Sequence, residues 1–277
     1  MDEDYLYENA PLIEVIAEVF WQLTPIRSVP GAAIDPYFAA TSNGFRTAAG
    51  KLGYTHVERL VPEEAPLELV AKEPVFRFRR SPGAWPLYQI GPGIFTCNIV
   101  PPYNGWAEFR KVISAGLDLL FAAFPVPEKQ FKTETVALRY IDGFGAAHGV
   151  GENFVQFTAQ QLGFSIGLRD GLLARFASDP AKAVASMHVR FPLREPSQAH
   201  MALKISPGRK DGQRAVIADL RVTGTGAGAP KGLGEDILNW LDSSHRTLHD
   251  IFDMMTSEEL KRRMGPKKPV GGARAEG

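Results

Sequence analysis

Cysteine is almost missing from this chain. Cys97 stands alone, which excludes both a disulfide framework and a zinc site built on thiolates. Net charge is missing too: Lys and Arg total 31, Asp and Glu total 31. Such a balance argues against a strongly basic nucleic-acid binder or an acidic mimic, unless charge is segregated locally. No uninterrupted apolar run approaches the roughly 20 residues that a membrane span needs, and the acidic opening Met1-Asp2-Glu3-Asp4 is the opposite of a secretion signal. The sequence therefore points to a cytoplasmic protein with no membrane contact. What is present, 44% hydrophobic and 22% charged residues over 277 positions, suits one large globular domain or two small ones.

The segment from Pro11 to Leu23 alternates, with Ile13, Val15, Ala17, Val19 and Trp21 on one face and Leu12, Glu14, Ile16, Glu18 and Phe20 on the other. It predicts a strand. Asp35-Pro36 reads as a helix cap followed by proline at the first helical position, with the helix running towards Lys51 and Gly53 as its stop. Val75–Arg79, Pro86–Ile90 and Ile94–Val100 read as strands separated by Ser81-Pro82-Gly83 and Gly91-Pro92-Gly93 turns, an antiparallel meander. Trp106, Phe109, Ile113, Leu117, Leu120 and Phe124 form one helical stripe, with Asn104 as the expected cap. Thr133–Asp142 alternates again. Beyond it a short helix is expected over 153–162, and strands near Gly171–Ala177, Ala185–Phe191, Met201–Ile205 and Ala215–Thr223. A single long helix is expected from Gly234 to about Arg263.

Strands occur in runs rather than alternating with helices, so the class is α+β: two similar halves, each a curved antiparallel sheet packed by helices, with a long C-terminal helix. The expected division is a flexible 1–10, an N-terminal half over 11–143, a C-terminal half over 152–264, and a disordered tail over 265–277.

Several patterns invite chemistry. Gly163-Phe164-Ser165-Ile166-Gly167 fits the nucleophile elbow G-x-S-x-G, with Asp219 and His245 following in hydrolase order. The run before Ser165 reads as helix rather than strand, so the match is weighed as coincidence. Gly143-Phe144-Gly145 lacks the third glycine of a dinucleotide fingerprint, since His148 stands there, and Lys231-Gly232 reverses the order a phosphate loop needs. His245 and His249 lie one turn apart on one flank of the last helix, near Asp242 and Asp253, but no third ligand is evident. No metal and no cofactor is expected. Glu14 and Glu18 share a strand face and, if buried, need partners, for which Arg139 is the natural choice. Arg77, Arg79 and Arg80, and a second basic group from Lys261 to Lys268, read as solvated faces rather than a nucleic-acid footprint.

Ala10-Pro11-Leu12-Ile13-Glu14-Val15, Gln89-Ile90, Tyr103 with Trp106 and Phe109, Leu138-Arg139-Tyr140-Ile141-Asp142, Ala218-Asp219-Leu220-Arg221, and His245 with Ile251-Phe252 and Thr256 together resemble an uncharacterised, sporadically distributed family of bacterial and archaeal proteins. That resemblance spans residues 10–264. It implies no activity, but places Glu14, Arg139, Tyr140 and His245 in the family's shared pattern. Asp142 departs from it, since Asn is usual there. Patchy distribution resembles that of genes carried with defence or mobile-element loci.

The sequence thus supports two functional expectations. One is a non-enzymatic accessory subunit that binds a protein partner. The other is a small-molecule binder or hydrolase with a pocket between curved sheet and helix, drawing on Glu14, Glu18, Arg139, Tyr140 and His245, with Ser165 as the nucleophile only if it meets a histidine. Neither expectation fixes the oligomeric state.

Overall fold

The structure, a computed structural model, describes residues 5–26, 32–169 and 171–269. In chain order the first half contains β1 (Tyr5–Tyr7), β2 (Leu12–Trp21), β3 (Thr24–Pro25), β4 (Ala33–Ile34), α1 (Phe38–Lys51), β5 (His56–Arg59), β6 (Phe76–Arg79), β7 (Leu87–Gly91), β8 (Ile94–Ile99), α2 (Trp106–Ala123) and α3 (Pro127–Gln130). The second contains β9 (Thr133–Phe144), α4 (Phe154–Leu162), α5 (Leu172–Phe176), β10 (Met187–Pro192), β11 (Ala199–Lys210), β12 (Gln213–Thr225), α6 (Glu235–Met255), α7 (Glu258–Met264) and β13 (Lys267–Pro269).

The α+β class and its antiparallel sheet stand as expected, and the two halves repeat one plan. Each opens with a long strand, β2 or β9, passes through a helix, runs an antiparallel meander and closes with a long helix, α2 or α6. In each, the last meander strand folds back on the opening strand: β8 pairs with β2, β12 with β9. The two opening strands then pair antiparallel with each other. The result is one continuous sheet of nine strands in the order β10-β11-β12-β9-β2-β8-β7-β6-β5. β9, which lies in the 11–143 span except for Phe144, thus takes the place in the second half that β2 takes in the first.

Helices cover one face. α1 packs on α2, and α2 on α6; beneath them lie β7, β8, β9 and β12. The α2 stripe is buried as its spacing requires, from Trp106 to Leu120, and Phe124 is buried just past the helix end. Each large apolar side chain so removed from water contributes about 1.5–3 kcal/mol. Gly116 permits the close approach: a Cβ there would sit 2.6 Å from Tyr88 and 2.7 Å from Phe95. Tyr88 in turn donates its hydroxyl proton to the Val112 carbonyl, at 2.8 Å, tying sheet to helix.

Local details depart from the sequence reading for identifiable reasons. In β2 the register shifts between Leu12 and Glu14, a bulge, so Leu12 joins the buried set and Ile13 does not. Asp35 accepts from the Tyr37 N–H and the Trp21 indole N–H, at 3.0 and 2.9 Å, and so fixes the turn before α1 instead of capping it. Gly105, not Asn104, precedes α2. Gly171–Ala177 holds a helix, not a strand, because Leu172-Leu173-Ala174-Arg175 are all good helix formers with no β-branched side chain among them. The expected single C-terminal helix is two: Thr256 ends α6, and Ser257 starts α7 by accepting the Leu260 N–H at 3.0 Å. Within the segments expected to be flexible or disordered, Tyr5–Tyr7 pairs antiparallel with Lys267–Pro269. The remainder of the tail, 270–277, lies outside the described residues.

Candidate functional site

Side chains alternate across a strand, so β9 divides the expected polar residues between two faces. Tyr140 and Asp142 point towards the helices; Arg139 points away. The candidate set Glu14, Glu18, Arg139, Tyr140 and His245 is therefore two groups, not one site.

On the helix side, a pocket of about 110 Å³ opens between α6 and the sheet. Its walls are largely apolar: Leu6 from β1, Leu12 from β2, Leu220 from β12, and Leu248 and Phe252 from α6. Tyr103, Tyr140, Asp142, His245 and His249 supply the polar surface. The Tyr140 hydroxyl lies 2.9 Å from His245 Nδ1 and 3.2 Å from the Tyr103 hydroxyl. His245 stacks on Trp106, with ring centroids 4.6 Å apart and planes 8° from parallel. Trp106 donates its indole N–H to Asp242 at 2.7 Å, and Arg110 grips the same carboxylate through Nε at 3.1 and 2.9 Å while reaching Glu235 at 2.8 Å. A continuous chain of contacts from α2 through α6 to β9 thus fixes the His245 ring against the pocket wall. This arrangement can orient a ligand through hydroxyl and imidazole groups set in an apolar surround.

Asp142 is the unusual member. It is 5% exposed, and among the described residues no N–H or O–H donates to its carboxyl. Burial pushes its pKa up to about 7, with the Lys210 ammonium pulling the other way. Lys210 is itself held by the carbonyls of Pro11 and Leu12, at 3.0 and 3.5 Å.

The other sheet face carries ion pairs. Arg139 is bidentate to Asp219 at 2.7 and 2.6 Å. Glu18 faces Arg221 at 2.8 Å, and Glu14 accepts from the Asn98 amide at 2.8 Å. Arg139, expected to partner Glu14 and Glu18, takes Asp219 instead because β12, not only β2, flanks β9. The Glu18–Arg221 contact is an ion pair rather than an aligned hydrogen bond: Glu18 Oε2 and Arg221 Nε are buried without hydrogen-bond partners among the described residues. Burial raises the Glu18 pKa, while Arg221 and then Arg139 draw it down and Asp219 adds to the rise.

Ser165 sits exposed in the segment after α4, and no hydrogen bond among the described residues joins it to His245 or His249. With Asp219 committed to Arg139, no hydrolase triad is assembled; the glycines flank a helix end, not the strand-to-helix turn of an elbow. The Gly143–His148 stretch is also structural. His148 Nδ1 accepts from the Gly145 N–H at 3.0 Å, so Nε2 carries the proton and donates to the Asn9 carbonyl at 3.0 Å. Burial lowers the His148 pKa. The basic groups are partly neutralised: Arg77 and Arg79 meet Glu58, Lys261 meets Asp253 and Glu258, and Lys268 meets Glu8. Among the described residues no three His, Cys, Asp or Glu side chains converge as a metal site would require, and no helix is long and apolar enough to cross a membrane.

Sequence reasoning singled out Tyr140 and His245 but missed Asp142, Trp106 and Arg110 as parts of one arrangement. Asp142 did leave a signal: it follows Val136, Leu138 and Tyr140 at alternate positions, a carboxylate in an inward-facing row. Leu6 and Tyr7 left none, lying in a segment expected to be flexible. No protein-family model matches the chain, and no curated protein matches its sequence.

Proposed function

We propose that this chain is a small-ligand-binding protein whose site is the pocket between α6 and the centre of the sheet. One observation carries the reading: Tyr140, Asp142 and His245, from elements about 100 residues apart, converge on a cavity whose walls are otherwise largely apolar. Ligand sites characteristically combine an apolar surround with a few placed polar groups. The Trp106–Asp242–Arg110 contacts hold His245 in one orientation, as a preformed site requires. The hydrolase version has no such support, because Ser165 meets neither histidine.

A second reading, an accessory subunit bound to a protein partner in a multigene system, draws on a different surface. Half of the exposed large apolar side chains among the described residues, Leu168, Leu172, Phe176, Val184, Val189 and Phe191, fall between 168 and 191. Phe176 is 75% exposed. An exposed apolar stretch of chain offers contact area to a partner, and contiguous apolar patches mark interaction surfaces.

Native mass spectrometry of the protein gently purified from its own host separates the two. The pocket reading predicts a retained small molecule that is lost from Ala10→Trp, a substitution aimed at the pocket wall. The partner reading predicts a second chain that is lost from Phe176→Ser and kept by Ala10→Trp. A bare wild-type chain whose melting temperature responds to no member of a fragment collection contradicts both.

A further inference from the structure

We propose that the pocket takes a small organic amine, its ammonium group set against Asp142 and its apolar body between Leu12, Leu220, Leu248 and Phe252. The inference rests on the pocket reading above and names the ligand class. Its basis is the missing partner of Asp142. A carboxylate so thoroughly buried ordinarily has a counter-charge and several donors. Here, among the described residues, it receives no hydrogen bond, and the cation that favours its ionised form, Lys210, is engaged by backbone carbonyls. Asp142 is one of the residues that line the cavity, so a partner for its carboxyl can come from inside the site.

A ligand ammonium fits that position in charge and in hydrogen bonding, since it has three donors and no acceptor. The surroundings favour it further. Tyr103 and Tyr140 line the same pocket with rings crossing at 87°, and aromatic faces attract cations. A carboxylate ligand would meet Asp142 with like charge, and an alcohol would offer one donor and no charge. Among the described residues, Tyr7 on β1, Tyr103 before α2, Tyr140 on β9, Lys210 on β11, and His245 and His249 on α6 are the other titratable groups around the site. Because an amine replaces a proton on Asp142, binding leaves the pocket's total charge unchanged when the carboxyl starts protonated.

Calorimetric titration of the full chain at pH 7.5 with three isosteres tests the class: phenethylamine, 2-phenylethanol and 3-phenylpropionate. Phenethylamine should bind most tightly. Asp142→Asn should weaken it by about tenfold to a hundredfold, the span expected for one charge-assisted hydrogen bond, and should leave 2-phenylethanol unchanged. Equal binding of amine and alcohol, preference for the acid, or an amine affinity indifferent to Asp142→Asn overturns the amine class while the pocket stands. If none of the three binds the wild-type chain, the amine class is overturned; the pocket reading falls with it only if the chain from its host is also bare and no member of the fragment collection alters its melting temperature.

Discussion

Asp142→Asn should make this protein more stable at pH 8, by about 2–4 kcal/mol, and should remove most of the dependence of stability on pH between about 4 and 7. The unfolded carboxyl titrates near 3.8 and the folded one near 7, so the native state binds the proton more tightly. Its contribution is therefore complete below about pH 4, declines as pH rises, and is lost above about 7. A displacement of about three pH units corresponds to about 4 kcal/mol; an amide in the same place still lacks partners, which brings the expected gain below that ceiling. His148 works in the opposite sense. Its folded pKa lies below 6.5, so its contribution is present above that pH and is lost as the pH falls through the folded value. In Asp142→Asn the acid-side loss from His148 should emerge from beneath the larger carboxyl effect. Urea denaturation of both proteins across pH 4–8 measures this. A variant less stable than wild type at pH 8 would mean that Asp142 has a native partner.

Arg221→Met is the second large effect. Glu18 is 15% exposed and Arg221 35%, so truncating the guanidinium strands a mostly buried carboxylate. Removing one member of a fully buried pair typically costs about 3–5 kcal/mol, and with Arg221 partly in water about 2–3 kcal/mol is expected here. Glu18→Gln in the same chain should recover most of that loss, because it removes the charge that lost its partner. A double-mutant cycle in denaturant reads the coupling. Additive losses would show that the Glu18–Arg221 contact holds nothing in place and that the polar sheet face is not a register-fixing network.

The same alternation explains what the sequence made legible. Every long amphipathic element announced itself: β2 and β9 by period two, α2 by the stripe from Trp106 to Phe124, and the meander by its proline-glycine turns. Glu14, Glu18 and Arg139 were recognisable as residues in need of partners. Their partners were not, because Asn98, Asp219 and Arg221 are fixed by strand order, which no local pattern encodes. The bulge at Leu12 likewise belongs to pairing rather than to residue spacing. Tyr140 and His245 could be named but not joined; their 2.9 Å contact exists only because α6 returns across β9. Three short helices, α3, α5 and α7, escaped because a few residues hold too little periodicity, and Ser257 interrupts what otherwise reads as one apolar face.

The central claim, that Asp142 is a buried carboxyl awaiting a ligand, is tested most directly by following its titration with carbon-detected NMR, alone and with phenethylamine. The account predicts titration near pH 7 in the free protein and a lower midpoint with the amine bound, because the ammonium favours the ionised form. An ordinary midpoint near 4, unmoved by the amine, would contradict it.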